Sequence, residues 1–291
     1  MPTRQNCMLQ LAFIVAAVVL PSPVVGQQSV AFAGAIPAGW YVYPEDKLKN
    51  WPKNSTWSPC PSDSLTDWQV SAEGDALRIT KLVNDRTSKS QDKSEQLPLP
   101  RLLKHEQGMP GQTVRAGLKS VLHFKNDWLL AYDLGEWGGG LWLTNDDGSE
   151  TKRILSDNVR EMIPVDDGVL VLSGLAHVTI DFGNAFIFSN PDGMNISLQH
   201  AVRLDGEPSG YAKEPNGSVL FVTTYGLCRI TKSGELQRLT GFPRWSQHEF
   251  TNSMVITSDG SIFIGTRMFV LRLRKNSDRY RTEWLLPKEC R

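Results

Sequence analysis

Residues able to do chemistry are spread thinly through this chain. The five histidines, His105, His123, His177, His200 and His248, stand far apart, with none of the short paired spacings that ligate a metal. There is no Gly-x-Ser-x-Gly elbow, no Walker loop and no His-Glu-x-x-His helix, so the common nucleophile, nucleotide and zinc signatures are all missing. No motif implies a cofactor. Gly138-Gly139-Gly140 would cradle a phosphate only ahead of a helix N-terminus, and a strand-like run, Leu141-Trp142-Leu143, follows it instead. Asn145-Asp146-Asp147-Gly148 is rich in oxygen donors, but the bidentate glutamate of a calcium loop is lacking, and it reads as a hairpin turn. What remains is carboxylates, Glu136, Asp181, Glu207 and Glu249, which would do hydrolytic work only if the fold set a pair of them at a defined separation.

Charge narrows the classes further. Lys plus Arg and Asp plus Glu both number 31, giving a net charge of zero without any basic stripe. A nucleic-acid partner is therefore not expected. The N-terminus is more specific: Arg4 precedes an apolar run from Met8 to Leu20, then Pro21-Ser22-Pro23 and the small residues up to Gly26. That is the pattern of a secretory signal peptide over residues 1–26, and the run is shorter than the roughly 20 residues of a spanning helix. The expectation is a secreted or periplasmic chain with no transmembrane helix after processing. Asn54, Asn195 and Asn216 each begin a glycosylation sequon, but two of them lie at or near turns, where asparagine is expected anyway.

The elements that must position these residues are strands. Asn252 to Thr266 reads as a strand, an Asp259-Gly260 turn and a second strand, and Ala212 to Thr224 is a weaker copy around Asn216-Gly217. Turn signals of this kind recur at Asn126-Asp127, Asp167-Gly168, Asn216-Gly217 and Asp259-Gly260. A second set interleaves with them at Asp147-Gly148, Asp192-Gly193, Ser233-Gly234 and Asn276-Ser277. Both sets repeat at intervals of roughly 40 to 50 residues, which implies four strands per unit and hence a β-propeller. Four blades are counted from 117 to 287 and a divergent fifth from about 66 to 116; six is the alternative count. Residues 27–65 form an extension that would complete a blade or pair with the last one, and residues 66–291 form the propeller. Asn84 to Gln96 holds no apolar residue and reads as a mobile loop.

The Asp259-Gly260-Ser261-Ile262-Phe263-Ile264-Gly265-Thr266 run resembles the short repeats of two-component-regulator-type propellers. So does the stretch from Asn216 through Gly226-Leu227-Cys228-Arg229-Ile230, and Gly139-Gly140-Leu141-Trp142-Leu143 matches in part. Met268-Phe269 replaces the expected Gly-Leu pair in the last unit. Propellers of that family commonly serve as exported sensor domains joined to a membrane kinase. No kinase follows here, so the resemblance implies architecture only.

In a propeller the connections between the second and third strands gather over the central channel, and loops at such a mouth suit a binding site. That face is expected to receive Glu136, Trp137, His177, Tyr225, Trp245, Gln247, His248, Glu249, Arg267 and Met268. The alternative is that Trp137 and Trp245 wedge between blades. The expected function is an exported, non-catalytic binding protein for a protein, peptide, glycan or small molecule; the alternative is a propeller hydrolase or lactonase using a metal or carboxylates at the mouth. Ring closure brings both chain ends into one blade, which favours a disulfide between Cys60 and Cys290, with Cys228–Cys290 as the other pairing. Cys228 lies within a strand, where a small thiol packs well.

Overall fold

Among the described residues nineteen strands form five antiparallel sheets. The structure is a computed structural model describing residues 35–44, 67–73, 76–82, 117–145, 148–192, 195–242, 251–277 and 279–290. β1 (Trp40–Val42) belongs to the N-terminal extension, and β2 (Asp67–Glu73) and β3 (Ala76–Leu82) represent blade 1. Blade 2 consists of β4 (Leu118–Phe124), β5 (Asp127–Asp133), β6 (Gly139–Asn145) and β7 (Thr151–Leu155). Blade 3 follows with β8 (Val159–Val165), β9 (Gly168–His177), β10 (Ile180–Asp192) and β11 (Asn195–Leu204). Blade 4 contains β12 (Pro208–Lys213), β13 (Val219–Thr223), β14 (Gly226–Ile230) and β15 (Leu236–Gly241). Blade 5 contains β16 (Thr251–Ile256), β17 (Ile262–Thr266), β18 (Val270–Asn276) and β19 (Arg279–Pro287). Among the described residues the expected turns at Asn216-Gly217, Ser233-Gly234 and Asp259-Gly260 fall between consecutive strands, and Gly217 and Gly260 take the positive φ, 85° and 76°, that tight reversals require. Among the described residues the sheets are those of a five-bladed β-propeller.

The first strand of each blade lies innermost: β8 touches β4 and β12, β12 touches β16, and β16 touches β2. The second strands of blades 2 to 5 are covered on both sides, which explains their apolar runs. Alternation then divides each run between two neighbours. Val169 and Val171 of β9 pack toward blade 2 with Leu129, Ala131 and Leu141, whereas Leu170 and Leu172 pack toward blade 4 with Val219 and Phe221. Leu220 and Val222 face blade 5 with Ile262 and Ile264, and Phe263 turns to Trp68 and Val70 of blade 1. Each such side chain is worth about 1.5–3 kcal/mol when fully buried. The outer strands β7, β11 and β15 are the polar, exposed ones.

The ring is closed by contacts between the chain's early residues and blade 5. β1 pairs antiparallel with β19, Tyr41 opposite Leu286, which covers that outer edge. The Val70 N–H donates to Ser253 Oγ at 2.9 Å, and the Trp40 and Trp68 rings meet edge to face at 4.9 Å. The expected signal peptide, the Asn84–Gln96 loop and Cys60 lie outside the described residues.

Candidate functional site

At one end of the ring, the starts of the inner strands and the connections between second and third strands come together. Each described inner strand of blades 2 to 5 carries a β-bulge there, with Lys119, Arg160, Gly210 and Asn252 as the extra residues. A bulge twists the strand locally and redirects a side chain. In β4 and β8 the redirected residue is a cation.

These cations meet carboxylates of their own and of neighbouring blades. Arg160 Nη1 donates to Asp133 Oδ2 at 2.5 Å, and its Nε lies 3.0 Å from Glu207 Oε1, so one guanidinium ties blades 2, 3 and 4. Lys119 Nζ lies 4.0 Å from Asp133. Burial pulls the Lys119 ammonium below its usual range, with Arg160 adding repulsion. Burial pushes the Glu161 carboxyl up, against the pull of Lys119 and Arg160. It pushes Glu207 up as well, although Arg160 stands beside it. The Tyr211 phenol, beneath them, is pushed up to about 12 by burial, with the Glu161 charge contributing. Carboxyls raised and an ammonium lowered by the same burial exchange a proton more readily than their exposed counterparts, or can discriminate by hydrogen bonding.

Around this mouth stand the rim residues. The β5–β6 connection is a 3-10 turn, Gly135–Trp137, fixed by Asn158 of blade 3: its Nδ2 donates to the Gly135 carbonyl at 2.7 Å and its Oδ1 accepts from Leu134 N–H at 3.3 Å. That turn carries Glu136 to within 3.4 Å of His177 Nδ1 at the end of β9. Trp137 is 60% exposed, so it does not wedge between blades. Asp181 ties blade 3 to blade 4, accepting from the Glu207 N–H at 2.8 Å and the Thr224 hydroxyl at 3.2 Å. Tyr225 is half-buried, and its carbonyl accepts from Arg238 and from the Phe242 N–H.

The structure therefore unites Glu136 with His177 and Asp181 with Glu207. It separates others from the proposed surface. Arg267 is turned onto Asp67 of blade 1 at 3.1 Å and serves closure. Met268, expected on the face, is 7% exposed and belongs to the blade 4–blade 5 core, because the turn at φ 81° directs it inward. Trp245, Gln247, His248 and Glu249 lie outside the described residues. Sequence reading missed Lys119, Asp133, Arg160 and Glu161. The available signal was a charge inside an apolar inner strand, as in Val159-Arg160-Glu161-Met162-Ile163.

Among the described residues no group of three or more His, Cys, Asp or Glu side chains converges to hold a metal ion. Cys228 is buried and free, its thiol pushed up to about 11 by burial. No described helix is long and apolar enough to cross a membrane.

No family model matches this chain, and no curated protein matches it. Among solved structures it is similar to a gluconolactonase from Xanthomonas campestris (12% identity, TM-score 0.35, 62% of this chain and 59% of that one). It is also similar to PorZ, a bacterial surface component of the type-IX secretion system of Porphyromonas gingivalis (9%, 0.39, 76% and 32%). A third is a candidate 6-phosphogluconolactonase from Bacteroides uniformis (12%, 0.42, 81% and 66%). The chain thus spans less than two thirds of the first two proteins and 66% of the third.

Proposed function

We propose that this protein is an exported, non-catalytic β-propeller that binds a partner through the loop face around its channel mouth. The observation that carries this reading is the pre-organised, open rim: Trp137 stands exposed beside the Glu136–His177 pair, on a turn clamped from the next blade by Asn158. Aromatic groups on rigid loops bind with little ordering cost. Export is the reading of the signal-like pattern over residues 1–26.

The test is to probe peptide and glycan arrays with the full chain. A Glu136→Ala, Trp137→Ala, His177→Ala, Tyr225→Ala combination is compared with a control carrying Asp166→Ala and Lys232→Ala at the opposite end. Binding lost with the first set and kept with the control is the expected result; the reverse pattern overturns the reading.

A second reading, a hydrolase or lactonase, is favoured by one observation. Burial raises both Glu161 and Glu207 and lowers Lys119 in a single cluster at the mouth. In that reading Glu161 supplies the protonated acid and Glu207 the second carboxyl. Turnover of a sugar-lactone panel, abolished by Glu161→Gln and by Glu207→Gln, would establish it in place of the first.

A further inference from the structure

The tip of the β9–β10 hairpin sets local preference against what is there. Its turn residues are Val178 and Thr179, between the paired residues His177 and Ile180. Val178 sits at φ 51°, a left-handed conformation that crowds a β-branched side chain and that hairpins ordinarily fill with glycine, asparagine or aspartate. It is also 66% exposed, so core packing does not compensate for the strain. Strained residues of this kind concentrate in ligand clamps and switch regions.

The neighbours of Val178 make the same point. Odd-numbered residues of β9 and even-numbered residues of β10 face blade 2, as Val171 and Phe188 do in the shared core. His177 and Ile180 therefore stand on the side toward Glu136 and Trp137, and the Glu136–His177 contact joins the two loops. Trp137, Val178 and Ile180, each at least half exposed, lie on the two loops that the Glu136–His177 contact joins, and are here called the saddle between blades 2 and 3. Asn158 holds one wall, and Asp181, through the Glu207 N–H and the Thr224 hydroxyl, holds the other.

The charge beside the saddle is acidic. Glu136 lies on its flank, in contact with His177, whereas Asp181 is turned to the other side, onto the Glu207 N–H and the Thr224 hydroxyl. Of the two cations further in, Arg160 is clamped between Asp133 and Glu207, and Lys119 lies 4.0 Å from Asp133. An aliphatic tip next to the Glu136 carboxylate complements an apolar side chain that has a cation beside it, and offers little to a polyol.

We infer that the saddle formed by Trp137, Val178 and Ile180, with Glu136 on its flank, docks an extended peptide segment of a protein partner presenting a large apolar side chain beside a lysine or arginine. This rests on the loop-face reading above and names the partner's chemistry.

The experiment selects a displayed random dodecapeptide library on the full chain, then measures the enriched peptides against variants by fluorescence anisotropy, with a glycan array run in parallel. Enriched sequences are expected to combine a large apolar residue with Lys or Arg. Val178→Gly is the decisive variant: it relieves the strain, so the thermal midpoint holds or rises, yet affinity falls about tenfold or more, as for an interface anchor. Ile180→Ser and Glu136→Gln weaken binding in the same way. A merely structural valine would move stability and binding together. Acidic or wholly polar enriched peptides, unchanged affinity in Val178→Gly, or glycans whose binding depends on Trp137 would each overturn the proposal. Peptides that respond to Tyr225→Ala but not to Val178→Gly would remove the saddle and leave the loop-face reading standing. Failure to enrich any peptide that responds to a loop-face substitution would remove both.

Discussion

Arg267 donates to Asp67 Oδ1 across 3.1 Å, although 200 positions separate them in the chain. The pair joins the turn between the second and third strands of blade 5 to the first residue of β2, and an isolated β-bridge links the same two residues. Both side chains are mostly buried, at 27% and 17% exposure. Breaking either partner is expected to cost about 1 kcal/mol, with a coupling of similar size in a double-mutant cycle. Denaturant unfolding of Asp67→Ala, Arg267→Ala and the double variant measures it; strictly additive losses would mean that closure rests on β1 and the core alone.

Asn158 is expected to matter more than its single side chain suggests. Asn158→Ala removes this partner from the Leu134 N–H and the Gly135 carbonyl, each of which keeps Gly138 as its other partner, at a cost of about 0.5–1.5 kcal/mol per bond lost. Amide hydrogen exchange should quicken across residues 134–138 while the strands of blade 4 stay protected. Uniform quickening throughout the ring would instead assign Asn158 to global stability.

The mouth cluster makes stability depend on pH in a direction that can be worked out. Glu161 has a folded value raised above its ordinary 4.5, so the native state holds a proton that the unfolded chain has lost. Its contribution is greatest below 4.5 and disappears as pH rises through the folded value. Lys119 is lowered from 10.5, so its contribution is present above that value and fades as pH falls through its folded one. Glu161→Gln should flatten the decline in thermal midpoint above about pH 4.5 and leave the neutral form more stable than the parent. An unchanged slope would show that Glu161 titrates normally.

The cysteines give a chemical test of closure. Cys228 should resist alkylation in the native state, because it is buried and its thiol is raised to about 11, and should react at once on unfolding. With Cys228 free, the proposed partner of Cys290 is Cys60. The Tyr41 hydroxyl already reaches the Cys290 carbonyl at 3.4 Å, and the Lys288 N–H donates to the Gly39 carbonyl at 2.7 Å. A bridge there would enclose nearly the whole processed chain and contribute about 4–5 kcal/mol at most by loop closure. Non-reducing peptide mapping checks it, and an alkylated Cys60 in oxidised native protein would refute it.

Four of the blades and their strand order were readable from residues alone because turns are local. Asp259-Gly260 and Asn216-Gly217 need only their own backbone preferences to reverse the chain, and their recurrence counts the blades. Val169 to Leu172 and Val219 to Val222 likewise show as apolar runs because a blade covers each side. Burial of Cys228 follows from its place between Leu227 and Arg229 in such a strand. The direction of Met268, the use of Arg267 for closure and the meeting of Lys119, Asp133, Arg160, Glu161 and Glu207 depend on something else. Each depends on a one-residue bulge or a turn angle, and on which blade stands next in the ring. A bulge changes where a side chain goes without changing composition or period, and contacts between blades join residues that share no local pattern. Propensity and period therefore determined the scaffold, while tertiary adjacency alone decided which of its polar side chains form a site.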